Sequence, residues 1–288
     1  MAVVNTNIGA SIAQAALMRN ERALGTAMEQ LSTGRKINSA GDNAAGLAIS
    51  TRMTSQIQGL GAAISNANDA VSMISTAEGA LDEITNMLQR MRELAVQSGT
   101  GTTDSADRSY LNAEYQALRA EIDRVADNTQ WNGRNILDGN AGASTAGGAS
   151  TVAFQVGADA GQTFSTGFGN FGNVSGVMSA LVSTYLSAGS IASAIGLASN
   201  AMVELDTAIA AVSSQRATFG AASNRLTHTI DNLTNIKTNS EASRSRILDT
   251  DYAAATSELA RTQIIQQAGT AMLAQANQLP QTVLALLQ

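Results

Sequence analysis

The sequence holds no cysteine, one proline (Pro280), one histidine (His228) and two lysines (Lys36 and Lys237). Without cysteine there are no disulfides, thiolate metal sites or cysteine nucleophiles. A single histidine excludes metal sites built on paired histidines, and any Ser-His-Asp triad would have to use His228. Aromatics make up 3% of the 288 residues, too few for a dense globular core, and scarce proline beside abundant alanine favours long helices with thin seams. The net charge of −6, with a pI near 4.8, leaves no basic patch for a phosphate backbone, so nucleic acid is not an expected partner. No run approaches the roughly 18 to 20 apolar residues that span a bilayer, and MAVVNTNIGA has neither a positive n-region nor an apolar h-region. Neither membrane insertion nor a cleaved secretory signal is expected.

What is present is helical periodicity. Val4, Ile8 and Ile12 begin an i, i+4 series, after which Ala10, Ala13, Leu17, Asn20, Leu24, Ala27 and Leu31 alternate steps of three and four. Such a narrow stripe needs a partner helix, and Asn20 is its one polar member. Gly34 and NSAGDN (38–43) then break or bend the chain. The alternation resumes from Ile57 through Leu60, Ile64, Ala67, Val71 and Ile74, slips once, and continues from Ala77 to Ala95. The slip is a stammer, which overwinds a coiled coil locally without ending it. At about 1.5 Å per residue, a helix from Ala44 to Gln97 would be some 80 Å long, far beyond the usual globular helix.

SGTGTTDS (98–105) supplies a stop and a fresh Asp or Ser cap, and Leu111, Tyr115, Leu118, Ile122 and Val125 predict an antiparallel second helix ending near Asn128. NGRN (132–135) is turn chemistry, and alternating Val152, Phe154 and Val156 before GADAG predict one small β-hairpin within 131–166. Residues 160–203 contain no charged side chain, and 167–189 read as an irregular connector. Leu205, Ile209, Val212, Arg216, Phe219, Ser223, Leu226, Ile230 and Leu233 predict a third long helix; Ile265, Ala268, Met272, Gln275, Leu279, Val283 and Leu286 form a terminal stripe mirroring the first. The two terminal stripes can pair, giving a mainly α fold: an elongated antiparallel helical bundle with N- and C-termini joined. A terminal pair that buries only one seam would order fully against neighbouring copies.

The chemical motifs point to no catalysis, and no cofactor or metal is expected. The string from Gly167 through Gly169 to Gly172 matches GxGxxG, but no acidic residue lies between Asp159 and Glu204 and no βαβ pattern surrounds it, so a glycine-rich loop is the better reading. His228 falls on the solvent side of its helical turn. Asp249 and Asp251 lack the glycine and terminal glutamate of a calcium loop and suit a loop or a helix start. On LQRMRELAVQ (88–97), Arg90, Arg92 and Glu93 flank the apolar stripe, and Leu94, outside its narrowest part, is expected exposed on a lateral packing surface.

LSTGRKINSAGDNAAGLAIS (31–50), LQRMRELAVQ, WNGRNILDG (131–139) and FQVGADAGQT (154–163) resemble the N-terminal signature of bacterial flagellin. SRILDTDYAAATSELARTQIIQQAGTAMLAQANQLPQTVLALLQ (245–288) is similar to its C-terminal signature. The resemblance implies a filament subunit with a core of 1–43 paired with 254–288, a rod of 44–166 with 190–253, and a 167–189 connector in place of outer domains. It further implies self-assembly into a secreted, extracellular filament for motility, an export chaperone, filament cap and junction proteins, and recognition by a host Toll-like receptor through Gln89, Arg90, Leu94, Gln97 and Glu114. The assembly interface would use Val4, Ile8, Ile12, Leu17, Leu24 and Leu31 with Ile265, Met272, Leu279, Val283 and Leu286. The rival readings are a hook-filament junction protein and a cytoplasmic coiled-coil adaptor.

Overall fold

Helix periods, caps and turns translate directly into the architecture of the computed structural model, which describes residues 7–141, 150–172 and 191–286, with side chains as far as Gln278. Five helices lie among these residues: α1 (Ile8–Thr33), α2 (Ala40–Ser98), α3 (Ser105–Asn128), α4 (Ile191–Leu248) and α5 (Tyr252–Leu286). Two antiparallel hairpins join them, β1 (Gln130–Trp131) with β2 (Arg134–Asn135) and β3 (Ser150–Gln155) with β4 (Thr163–Phe168). The sequence predicted one hairpin; NGRN closes a second of its own.

Local chemistry sets the boundaries. The Asn7 side chain accepts the Ala10 N–H at 3.0 Å and starts α1, and the Gly34 N–H donates to the Gln30 carbonyl at 2.9 Å where it ends. The expected break before Ala44 is at Asn43, the one non-helical residue within α2, and its side chain accepts the Gly46 N–H at 2.8 Å as a fresh cap. Asp251 caps α5 by accepting the Ala253 N–H at 2.9 Å, the helix-start role its spacing suggested. The β1–β2 turn needs positive φ at both central residues, and Asn132 and Gly133 adopt 50° and 75°.

The chain divides into two compact units. The terminal unit comprises 1–57 and 238–288. Within it α1 and α5 pack antiparallel, since the Asn7 side chain donates to the Ala276 carbonyl at 2.8 Å and Asn20 to the Thr262 carbonyl at 2.7 Å. Two junctions are stitched together by Lys36 N–H to the Leu248 carbonyl (2.7 Å) and Thr250 N–H to the Gly34 carbonyl (3.0 Å). The divisions at 57/58 and 237/238 fall inside α2 and α4, beyond the 43/44 and 253/254 that the sequence suggested.

The central unit, 58–237, holds one large core. Alanines at 67, 70, 77, 95, 201 and 208 are buried between bulkier Leu81, Ile84, Leu88, Leu205, Val212 and Phe219, which lets the helices approach closely. Salt bridges Arg216–Asp82 (3.0 Å) and Arg92–Asp206 (2.6 Å) step ten residues forward in α2 and ten back in α4, so these segments run antiparallel. Phe154 pairs with Phe164 across β3 and β4, and Arg225 of α4 lies 4.9 Å over the Phe164 ring.

The stretch read as an irregular connector begins as core. Gly167 and Phe168 belong to β4, Asn170 bridges to Asp138, the Phe171 N–H donates to the Leu137 carbonyl at 2.8 Å, and Phe168 meets Phe219 at 5.1 Å. The glycine string therefore opens in a paired strand, with Phe168 and Phe171 fully buried. The remainder of the connector, 173–189, lies outside the described residues. Residues 195–248 of α4 contain an 18-residue window of mean hydropathy 1.3, apolar enough by composition to cross a membrane. Ala198, Ala201, Leu205, Ala208 and Val212 turn that helix's apolar stripe into the protein core instead.

Candidate functional site

Two helix surfaces, one in each unit, hold the residues singled out from sequence. In the terminal unit the stripe of Ala10, Ala13, Leu17, Asn20, Leu24, Ala27 and Leu31 is the buried or half-buried face of α1. Asn20, the polar interruption, is buried with its amide donating to the Thr262 carbonyl, so it aligns the pair instead of weakening it. Ile8 and Ile12 stand apart from this seam and are 59% and 65% exposed.

On α5 the stripe and the seam differ by one residue. The inward positions are Ala255, Leu259, Thr262, Gln266, Gly269, Leu273 and Ala276, whereas Ile265 and Met272 are 42% and 66% exposed. One residue is about 100° of helix rotation, enough to move a stripe from the partner helix to solvent. The two chain ends pair as expected, with Leu259 and Leu273 of α5 turned inward and Ile264, Ile265 and Met272 left exposed. A shallow groove of about 350 Å³ results, lined by Ile12, Ala13, Leu17, Ile265, Gly269 and Met272. A Cβ at Gly269 would sit 2.6 Å from Leu17 Cδ1, so a side chain there would have to turn that methyl aside. Val4 and the side chains of Leu279, Val283 and Leu286 lie outside the described residues.

In the central unit the structure joins Arg90 to Glu114: the Arg90 Nε donates to Glu114 Oε1 and its NH1 to Glu93 Oε2, each at 2.9 Å. The Glu93 and Glu114 carboxylates hold the Arg90 guanidinium pKa above its usual value. Asp206 does the same for Arg92, whose guanidinium in turn depresses the Asp206 carboxyl. Gln89, Arg92, Glu93, Val96, Gln97 and Thr100 line a second shallow depression along one face of α2. Leu94 is corrected by the structure: it is 1% exposed, not on the surface. Met91, Leu94, Ala95 and Ser98 are all buried, a wider inward face than a two-helix seam requires, because both α3 and α4 cover this part of α2. Val96, 49% exposed, is the apolar residue on the outer face.

No sequence pattern signalled Arg108. It is 2% exposed, and its guanidinium donates to the carbonyls of Ser98 (3.2 Å) and Thr100 (2.9 Å), neutralising the C-terminal end of α2. His228 is exposed on α4, and among the described residues no three His, Asp or Glu side chains gather as a metal set. The chemistry these surfaces offer is recognition.

Fold and surfaces together define a class: a helical subunit with paired chain ends, whose terminal helices keep apolar side chains uncovered. Comparison with known proteins narrows that class. The bacterial flagellin N-terminal helical region matches residues 4–142 and the bacterial flagellin C-terminal helical region residues 202–287. The chain is 44% identical to a flagellin of Halalkalibacterium halodurans over 286 residues, 99% of this chain and all of that one. Flagellin A of Vibrio anguillarum is 36% identical over an alignment of 383 residues, covering 99% of each chain; the excess over 288 residues fits a small variable region here. A solved structure described as a flagellar hook-associated protein from Vibrio parahaemolyticus shares the fold, with TM-score 0.60 and 16% identity over 72% of this chain and all of its own.

The chain belongs to the bacterial flagellin family. It is a structural subunit of the flagellar filament, the organelle of motility, and self-assembles into that filament.

Proposed function

We propose that the subunit assembles through the uncovered apolar side chains of its terminal unit. The observation that supports this is the groove between Ile12 and the Ile265–Met272 stripe, which α1 and α5 leave open after pairing. In the filament a neighbouring copy covers it, with Val4, Ile8, Leu279, Val283 and Leu286 completing the interface by burial of apolar surface, while Leu17, Leu24 and Leu31 hold α1 against α5 behind it. A head-to-tail contact set that does not close then propagates as a helical tube. Residues 1–43 with 254–288 act as the core lining the channel, 44–166 with 190–253 as the rod, and 167–189 in place of outer domains.

The filament is extracellular in this reading, and subunits reach its tip through the channel. A cytoplasmic export chaperone shields the C-terminal segment beforehand, and junction and cap proteins bound the two ends of the filament. The role is structural and non-enzymatic. In the full-length chain, Ile12→Asp with Ile265→Asp is expected to abolish seeded filament growth while the monomer stays folded by circular dichroism. Growth at the unmodified rate would refute the interface.

A second surface role has its own support. Arg90 and Glu114, from different helices, are joined at 2.9 Å beside Gln89 and Gln97. That patch serves lateral packing in the filament and, on free subunits, recognition by a host Toll-like receptor. Leu94 contributes from beneath, by holding the helix, and not by contact. Arg90→Ala monomer should lose receptor activation; equal activation by this variant would remove the residue from the site.

A further inference from the structure

The chain has ten methionines and no cysteine, so thioethers are its only sulfur. Their burial differs sharply between the two units. Met73 and Met91 lie in the central core at 5% and 0% exposure, and Met87 and Met202 pack half-buried against it. Among the described residues the exposed methionines are Met18, Met28 and Met272, at 55%, 56% and 66%, and all three are on α1 or α5. Met272 also lines the groove beside Ile12 and Ile265.

We propose that Met272, together with the exposed Met18 and Met28, is a peroxide-sensitive modification site that switches off self-association while leaving the central unit intact. The inference rests on the assembly reading above. The thioether sulfur attacks one oxygen of hydrogen peroxide; the O–O bond breaks, an S–O bond forms, and the second oxygen leaves as water after proton transfer. Sulfur is oxidised by two electrons to the sulfoxide and the peroxide is reduced. With no thiol in the chain to compete, exposure decides which sulfur reacts, and exposure is concentrated on the assembling helices. A sulfoxide replaces a flexible apolar tip with a strong polar acceptor, which a neighbouring copy must desolvate when it covers the groove. Oxidation therefore acts on free subunits, and assembly itself shields the reactive sulfurs. Methionine sulfoxide reductases, acting on the free chain, reverse it.

The test exposes full-length monomer to hydrogen peroxide, maps the added oxygen by peptide mass spectrometry and measures seeded filament growth. Met18, Met28 and Met272 should gain oxygen at least about tenfold faster than Met73 and Met91, because susceptibility follows exposure. Growth should fall about tenfold or more, since a buried unpartnered polar group at each contact is strongly unfavourable. The circular dichroism signal and urea unfolding of the central unit should not change. Reduction of the sulfoxides should restore growth, and M18L/M28L/M272L, near-isosteric with the unmodified chain, should grow normally and keep growing after peroxide. Equal oxidation of Met73 and Met91, unimpaired growth of oxidised protein, or equal inhibition of the leucine variant each overturns the inference. If the leucine variant does not grow even untreated, reductase treatment of the oxidised natural chain decides: recovery supports the switch and failure to recover overturns it. The assembly reading fails separately, if Ile12→Asp with Ile265→Asp leaves growth unchanged.

Discussion

The terminal and central units start from the same material, long alanine-rich helices with heptad-like stripes, and end with different shares of that apolar surface buried. Of the buried apolar side chains described, only Ala27, Ile37, Ile57 and Ala255 belong to the terminal unit. Ile8, Ile12, Ile49, Ile264, Ile265 and the three exposed methionines are all there too, left in solvent. In the central unit α2 is covered by α3, α4 and the β3–β4 hairpin, so its inward face widens to take in Leu94 and Met73. Among the described residues α1 packs along α5. A helix covered on one side buries one narrow face, and whatever apolar surface remains is available for other copies.

The largest effect that should separate the two units comes from truncating their apolar side chains. Phe219→Ala is expected to destabilise the monomer by about 3–5 kcal/mol, whereas Ile12→Ala should stay within about 0.5 kcal/mol, both by urea unfolding. Comparable losses would erase the contrast. Next in size, Arg108→Ala removes a buried guanidinium with its bonds to the Ser98 and Thr100 carbonyls and should cost about 1–3 kcal/mol, read as a lower urea midpoint. In the terminal unit, Asn20→Ala removes the bond to the Thr262 carbonyl and should cost about 1 kcal/mol, detected as earlier thermal loss of helicity and not as loss of the central core.

The smallest effects are in pH and point in opposite directions. Burial, then the Glu204 charge, pushes the Tyr115 phenol up to about 12 from 10.0, and its hydroxyl has no hydrogen-bond partner among the described residues. A raised folded value means stability that is complete below pH 10 and lost as pH rises towards 12. Tyr115→Phe should flatten that alkaline decline at no cost near neutrality, and a neutral-pH loss above about 1 kcal/mol would reveal a partner for the hydroxyl. Asp42 is depressed below 3.8 by backbone N–H bonds from Ser39 and then Asn38. Its contribution is complete above pH 3.8 and lost as pH falls through the lower folded value, so Asp42→Asn should remove a small acid-limb decline in the terminal unit.

Much of this was legible in the sequence because it depends on local chemistry. The restart at Ala44, the end of α3 near Asn128, the Asn132-Gly133 turn and the Val152–Phe154 alternation all act over a few residues. Arg108 was not legible, since an arginine in the first turn of α3 reads as solvated until the end of α2 is brought over it. Phe168 and Phe171 hid in a glycine-rich, charge-free stretch with no clear period. On α5 the helical spacing was legible, but the face turned to α1 was not: it lies one residue from the stripe read in the sequence.

By itself the sequence determined where helices begin and end, which residues repeat at helical spacing, and that the chain ends mirror each other. It also determined family membership, through long signatures near both ends. Tertiary structure alone decided the phase of burial: Gly269 and Leu273 inward with Ile265 and Met272 outward, Leu94 inward on α2, and Asn20 as a buried tie to Thr262. A period specifies spacing along one face, whereas the face that is covered depends on how many partners approach and from what angle. A rotation of one residue, about 100°, separates a stripe packed on the partner helix from one in solvent.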